Sequence, residues 1–283
     1  MSITTGVRVS EGLVALEEEP TRLAETLDRI HVRWARGAGA VALTVPPLLP
    51  VTDLAVLDVY RNFPHLALVS SALEVAGNDR IEREAASGAF PPASLGPADL
   101  ALPSSACYGV YLHYRNRQVS REVELVTLQG QCFRNESHYD GIRRLKAFRM
   151  REVVALGTPE RTAAHLDHSA WFLDALAGEI GLPLERRVAS DPFHDRAGAR
   201  AAFQQIVPVK HEYVYKDLAI ASVNTHHTFF GERCAISLAG GGPVSTSCVG
   251  FGVERWLHAL ADHFEGDWER ARGAVERAEE QLT

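Results

Sequence analysis

Four side chains in this sequence have the types needed to hold a nucleoside triphosphate. Arg134 and Glu136 stand two apart in CFRNE, Phe148 follows in LKAFRMRE, and Arg255 comes much later in GFGVERW. A guanidinium is a planar fork that matches phosphate oxygens, and a carboxylate accepts from an adenine amino group. A flat ring stacks on one face of a base, and a second guanidinium covers the other. The chemistry such a set serves is ATP-dependent activation of a carboxylate, in which charge stabilisation at phosphorus matters more than any covalent group on the protein.

Those residues need rigid elements to hold them, and the pattern of the chain supplies candidates. Residues 19–35 have helical periodicity with Pro20 in the first turn. Residues 40–45 then read as a buried strand that ends at Pro46-Pro47. Residues 76–105, rich in Gly, Pro, Ala and Ser, read as an irregular connection. Strand-like stretches at 119–128 and 146–156 flank the polar RNESHYDGIRR, which predicts an antiparallel pair whose long loop carries the chemistry. Thr158, Pro159 and Gly181 fit the cap, first turn and closing residue of a helix between them. Further strands are predicted at 209–215, 218–223 and 234–238, then a Gly240-Gly241-Gly242-Pro243 turn, a helix over 252–264 and a charged surface helix over 267–282.

The chain has 283 residues, of which 46% are hydrophobic, enough for a substantial core in one domain or two small ones. Its formal net charge of -7 argues against a broad basic face for nucleic acid, since Lys and Arg supply most non-specific affinity for phosphate backbones. A long tRNA is therefore an unfavoured partner. Four cysteines in a chain of this length do not make a disulfide scaffold and read as reduced thiols, available to a metal or to the core. The amino-terminal stretch lacks a basic flank and a continuous apolar run, and AVALTVPPLLPV is interrupted by prolines, so the expectation is a cytoplasmic protein with no membrane segment.

The same residues carry a family resemblance that spans most of the chain. The helix, strand and Pro47 resemble motif 1 of class II aminoacyl-tRNA synthetases, CFRNE through FRMRE resembles motif 2, and SCVGFGVERW resembles motif 3. More narrowly, PSSACYGVY, CFRNES, FRMREVVALGTPE, DPFHDRAG and CVGFGVERW together resemble the amino acid:carrier protein ligases. These are truncated relatives of the zinc-dependent, archaeal-type seryl-tRNA synthetases. The resemblance implies an α+β fold, a class II synthetase-like antiparallel sheet flanked by helices. It also implies one catalytic domain over residues 1–283 without a separate tRNA-binding domain, and a homodimer formed through the Pro47 segment.

Spacing alone leaves Cys107, Glu152 and Cys248 open to two readings, buried thiols with a strand-edge acid or three metal ligands. The resemblance selects the second, because the three match the family's zinc ligands, and three protein ligands leave the open position that a catalytic zinc requires. In the family that position receives the substrate's α-amine. The resemblance further assigns Arg134 to the α-phosphate, Glu136 to the adenine amino group, Phe148 to one face of adenine, and Arg255 to the other face and the γ-phosphate. Arg144 and Leu145 match loop positions near the nucleotide. An acid that seryl-tRNA synthetases use for magnesium is Ala219 here; by analogy Glu212, Ser222 and Asn224 remain as the oxygen-rich set, although Glu212 is equally placed to pair with Lys210.

Two other metal sets compete. Cys234 with His226 and His227 is disfavoured because adjacent strand residues point to opposite faces, and His165 with His168 reads as a pair on a surface helix. Cys132 reads as a small core hydrophobe. The implied substrates are ATP with magnesium and a small amino acid, glycine, alanine or serine. The implied acceptor is the phosphopantetheine thiol of an acyl carrier protein. Arg186, Arg187, Arg196 and Arg200 are candidates for docking it, or else solvated surface charges. A non-catalytic zinc-binding relative and a minimal seryl-tRNA ligase are the alternatives.

Overall fold

The computed structural model describes residues 6–74, 78–195, 197–198 and 208–283. Strands β1 (Val7–Ser10) and β2 (Leu13–Leu16) form a hairpin. Both turn residues, Glu11 and Gly12, have positive φ, the geometry that matches strand twist in a two-residue turn. Helix α1 (Glu18–Gly37) follows with Glu18 and Glu19 in its first turn, and it buries Leu23, Leu27, Ile30 and Trp34. These lie at helical spacing, as the sequence pattern predicts.

Seven strands make the central sheet. In spatial order they are β10 (Glu185–Ala189), β11 (Lys210–Tyr215), β12 (Leu218–His227), β14 (Ser245–Gly252), β9 (Ala147–Gly157), β8 (Val123–Phe133) and β3 (Val41–Ala42). All neighbours run antiparallel except β3, which lies parallel to β8. A smaller sheet combines β4 (Leu49–Pro50), β5 (Leu68–Ser70) and β6 (Leu100–Leu102), and β7 (Gln118–Val119) pairs with β13 (Ser237–Leu238). The helices after α1 are α2 (Val51–Val56), α3 (Val59–Asn62), α4 (Asn78–Ala86), α5 (Tyr108–His113), α6 (Pro159–Ile180), α7 (Phe229–Arg233), α8 (Val253–His263) and α9 (Trp268–Leu282). Among the described residues, no helix is long and apolar enough to cross a membrane.

The two faces of the main sheet meet different partners. Val153, Tyr213, Val223, Val249 and Phe251 pack under α1, α6, α8 and α9. Val126, Leu128, Cys132, Val154 and Cys248, on the alternate positions, face α5, α7 and the small sheet. Arg151 and Glu152 show the alternation directly. Arg151 is clasped by Asp28 of α1 at 2.7 and 2.8 Å, while its neighbour Glu152 leaves by the opposite face.

Several elements differ from the sequence expectation. The strand predicted at 40–45 pairs only over Val41–Ala42, and Val41 is 59% exposed; it is the sheet's edge, and Pro46 and Pro47 have no N–H to extend the ladder. The connection predicted as irregular over 76–105 contains α4, supported by an Arg80–Glu84 pair at 2.7 Å one turn apart, and the strand β6. Strand β8 runs on to Phe133 because it pairs with β9 along its whole length. Cys234 follows helix α7 instead of opening a strand, and only Ser237–Leu238 pairs. The helix predicted as surface over 267–282 buries Trp268, Ala271, Val275 and Ala278 against α1 and α6. Strand β14 was not expected at all. Each of its eight residues is buried, so STSCVGFG lacks the polar alternation that marks a half-exposed strand. Helix α6 is as predicted, with the Thr158 hydroxyl accepting from Arg161 N–H and Gly181 closing it at φ 76°.

Two histidines sit neutral in the helix-covered core. His31 stacks on Phe251 at 3.9 Å, and burial pushes its pKa down to about 3. His165, predicted as a surface residue, is buried with its Nε2 at 3.1 Å from the Val153 carbonyl, and burial pushes it down to about 4. His168 lies instead against Trp34 and Trp171, so the two do not share a metal. A histidine held below its unfolded value of about 6.5 contributes stability that is present above that pH and lost as pH falls toward the folded value. The thermal midpoint is therefore expected to drop between pH 6.5 and 4.5. It should drop less steeply in His165→Gln, whose amide can still donate to Val153. Equal slopes in calorimetry would remove His165 from this account.

Candidate active site

The site is written on one sheet face by residues two apart. Phe148, Met150 and Glu152 share a face of β9; Cys248 and Gly250 share it on β14, Ser222 and Asn224 on β12, Lys210 and Glu212 on β11. The register aligns them into rows across the sheet. Glu212 pairs with Ser222, Ser222 with Gly250 and Gly250 with Glu152, and in the next row Lys210 pairs with Asn224 and Asn224 with Cys248.

Cys107, Glu152 and Cys248, which the family resemblance implies as one ligand set, come together. One ligand atom from each lies within 4.8 Å of the others, all three side chains are buried, and among the described residues this is the one such cluster of His, Cys, Asp and Glu. Cys107 arrives at the start of α5, in a segment that can approach because Gly130 has no side chain; a Cβ there would stand 2.6 Å from that of Ala106. Ala106 N–H then donates to Glu152 Oε1 at 3.0 Å, with Ser105 Oγ at 3.3 Å. The other oxygen, Oε2, is buried with no protein partner. A buried carboxylate oxygen left unpaired beside two thiols costs free energy that a cation would recover, so the residues fit a divalent ion of the zinc type.

Electrostatics agree with that fit. Cys107 is pushed well up by its hydrogen bond to Cys248, by burial and by Glu152, while Cys248 is pulled down, mainly by the same hydrogen bond and by His226. Burial raises Glu152 to about 7. Three groups thus compete for the right to be anionic in a dry pocket.

His226 does not join Cys234, which is buried elsewhere in the core. Its Nε2 lies 3.9 Å from Cys248 Sγ and its Nδ1 3.2 Å from Tyr111 Oη, so it supports a ligand of the triad. A register shift between Thr225 and His227 separates the two adjacent histidines, and His227 is exposed. Cys132 is a fully buried core residue.

Next to the triad lies a cleft lined by Arg134, Glu136, Arg144, Leu145, Phe148, Glu212, Ser222 and Arg255. It brings together all of the predicted nucleotide and magnesium residues but Asn224. That residue lines the adjoining triad chamber, where its Nδ2 donates to Ser222 Oγ at 3.1 Å and points at Cys248 Sγ at 3.5 Å. Arg134 N–H is held by the Lys146 carbonyl at 2.8 Å, and its Nε by Ser104 at 3.1 Å. Its guanidinium rests 4.9 Å from the Phe148 ring centre. Glu136 is paired with Arg144 at 2.7 Å. Arg255 donates to the carbonyls of Arg143 and Ala219, each at 3.0 Å, so Ala219 serves the cleft through its backbone. Burial first, then Arg134 and Arg144, press the Arg255 pKa down to about 10. Three guanidiniums crowded in this way favour an anion carrying several charges.

Sequence reasoning passed over Met150 and Glu254, and it named Lys210 only as a partner for Glu212, which it is, at 3.3 Å. Met150 stands between Phe148 and Glu152 at period two, a signal available from the sequence. Glu254, buried, accepts from Arg149 N–H at 2.9 Å and from its Nε at 2.8 Å, a pairing across 105 positions that no local pattern reveals. Of the docking candidates, Arg186 and Arg187 are exposed on edge strand β10, with Arg187 paired to Glu185. Arg196 and Arg200 lie outside the described residues.

No protein-family model matches the chain. Amino acid–[acyl-carrier-protein] ligase 1 of Bradyrhizobium diazoefficiens is 33% identical over 242 residues, 80% of this chain and 72% of that protein. The chain belongs to the amino acid–[acyl-carrier-protein] ligase family. Ligase 2 of the same organism is 30% identical over 267 residues, 88% of this chain and 76% of that protein. A type-2 serine–tRNA ligase of Methanothermobacter thermautotrophicus is 25% identical over 273 residues, 53% of its own length. Among solved structures, the M. kandleri seryl-tRNA synthetase in complex with A. aeolicus tRNASec superposes with a TM-score of 0.77 at 19% identity, over 98% of this chain and 58% of that one. The P. horikoshii seryl-tRNA synthetase complexed with ATP superposes with a TM-score of 0.64 at 13% identity, over 90% of this chain and 55% of that one. Ligase-family membership and a class II synthetase fold therefore agree.

A cleft built for a polyanion should bind inorganic tripolyphosphate. Saturation at a hundred times Kd adds about 2.7 kcal/mol of stability, which thermal unfolding reads as a raised midpoint. Arg255→Met is expected to lose most of that increment. No increment in the wild type would refute the anion site.

Proposed function

We propose that this chain activates a small amino acid with ATP and passes it to the phosphopantetheine thiol of an acyl carrier protein. The observation that carries this reading is a shared wall. The triad chamber and the cationic cleft have Arg134, Met150, Lys210, Ser222 and Gly250 in common, so an amine held at the triad puts its own carboxylate beside bound phosphates. Ligase-family membership supports a carrier protein as acceptor. The reading takes residues 1–283 as one catalytic domain, working as a cytoplasmic homodimer on glycine, alanine or serine.

Cys107, Glu152 and Cys248 would hold zinc, which when bound supplies a Lewis-acid position for the neutral α-amine. Glu212 and Ser222, with Asn224 next to them, would hold magnesium against the phosphates. Arg134, fixed by the Ser104 carbonyl, orients the α-phosphate and the carboxylate. Arg255, fixed by two carbonyls, faces the terminal phosphates. Glu136 accepts from the adenine amino group, Arg144 and Leu145 border the base, and Phe148 stacks on it.

A carboxylate oxygen then bonds to the α-phosphorus as the bond to pyrophosphate breaks. The product is an aminoacyl adenylate held between the two chambers. In the second step the carrier's thiol loses its proton to solvent as its sulfur bonds to the carbonyl carbon, AMP leaves with the electron pair of the broken carbon–oxygen bond, and a thioester remains. Arg134 and Arg255 act by being in place before charge develops.

Amino-acid-dependent exchange of pyrophosphate into ATP tests the first step, across glycine, alanine and serine, with and without a zinc chelator. Exchange with one of them, suppressed by the chelator and by Cys248→Ala, is expected. Arg134→Ala should lower it about 100-fold, the usual loss for one transition-state donor. Thioester on a holo carrier protein tests the second step; charging of tRNA in its place would assign the chain to RNA. Absence of exchange on folded, zinc-loaded protein would reduce it to a non-catalytic member of the family.

A further inference from the structure

Three cavities on the site face share lining residues. The cationic cleft is the first and the triad chamber the second. The third, larger and more apolar, is walled by Leu57, Phe63, Phe193, Phe229 and Phe230. Among the described residues, Lys210 is the one that lines all three. It opens β11 two positions before Glu212, paired with Asn224 of β12, so the register brings its side chain to the site face. That side chain is only 15% exposed, and its Nζ lies 3.2 Å from Asp191 Oδ1 and 3.3 Å from Glu212 Oε1.

The residues common to the cleft and the triad chamber mark the place where they join: Arg134, Met150, Lys210, Ser222 and Gly250. Two of these are charged, and they arrive from different parts of the sheet, Arg134 after β8 and Lys210 at the start of β11. On the function proposed above, an amino acid has its amine at the triad and the nucleotide its base against Phe148. The bond made between carboxylate and α-phosphorus then lies at this junction. Two anions must approach each other there, and at short range in a low-dielectric pocket their repulsion is large. Arg134 meets them from one side.

We propose that Lys210 is a second catalytic residue of the adenylate-forming step, its ammonium facing the carboxylate and the α-phosphate from the side opposite Arg134. Asp191 and Glu212 hold the ammonium at the junction, one on the side of the chamber and the third cavity, the other in the cleft. As a carboxylate oxygen bonds to the α-phosphorus, the bond to pyrophosphate breaks and its electron pair leaves with pyrophosphate. No proton moves, and Lys210 keeps its charge throughout. The third cavity brings the same ammonium within reach of a group entering from that side.

This proposal rests on the adenylate-forming reading, and the test separates the two. Pyrophosphate exchange is measured for the full chain, Lys210→Met and Lys210→Arg, with kcat and both KM values, bound zinc and the thermal midpoint for each. Lys210→Met is expected to lose about 100-fold in kcat, with the KM values changed less than about threefold and zinc and midpoint unchanged; this is the signature of an interaction made in the transition state. Lys210→Arg should recover part of the loss. If Lys210→Met lowers the midpoint, Lys210→Gln is judged by the same split. Wild-type exchange with Lys210→Met within threefold of it, or a loss confined to KM, overturns the lysine's role and leaves the function standing. No exchange by the wild type overturns both.

Discussion

Side chains two residues apart on a strand leave by the same face, and the whole site depends on four neighbouring strands keeping that alternation in register. Glu212, Ser222, Gly250 and Glu152 form one row across β11, β12, β14 and β9, and Lys210, Asn224 and Cys248 form the next. A slip of one residue in any strand would send its contribution to the helix-covered face. The register shifts in this part of the sheet fall at Tyr213/Val214 and Thr225/His227, on either side of the site-bearing run. The opposite face holds the strands in place, since Phe251 and Val249 are locked under α1, α6 and α8, and Arg151 is clasped by Asp28. The core thus sets the geometry of the chemistry from behind.

The charge distribution follows from the same layout. The chain is acidic overall, yet Arg134, Arg144 and Arg255 converge on one cleft, and the lowered pKa of Arg255 records its burial first and then their crowding. Such an arrangement costs stability in the empty protein and is compensated when an anion enters. Glu136 and Glu212 relieve part of it, through Arg144 and Lys210 respectively. Beside this cleft the triad has the opposite problem, too much incipient negative charge in a buried place, with Glu152 raised to about 7.

How far the site could be read in advance depended on whether a signal was local. Arg134, Glu136 and Phe148 stand in short motifs, and they line the cleft. Cys107, Glu152 and Cys248 are separated by 45 and 96 positions (152 − 107 and 248 − 152), and spacing alone could not join them; the family resemblance did. Strand β14, which carries Cys248, escaped detection because full burial erases alternation. Helix α4 escaped because its support is a pair of charges within a Gly- and Pro-rich stretch. Asn224 was placed with the magnesium set by analogy with the family. The register puts it opposite Cys248, so its amide belongs to the triad chamber.

The hairpin formed by β1 and β2, unremarked in the sequence, limits how the loop between β8 and β9 can move. Gly12 accepts from Lys146 N–H at 2.7 Å, and a Cβ on Gly12 would strike the Tyr139 ring at 2.5 Å, so the hairpin turn sits directly on the segment between β8 and β9. Gly12 also has φ 79°, a conformation glycine adopts without strain. The base of the loop is fixed twice over, since Lys146 also accepts from Arg134 N–H at 2.8 Å. Its tip is polar and held by ion pairs, Arg144 to Glu136 and Arg143 to Asp217. A loop pinned at its base and held by ion pairs at its tip can exchange those partners when an anion enters the cleft. The first residues of the chain, far in sequence from any motif, therefore help decide how much of the loop is preorganised and how much answers to the ligand.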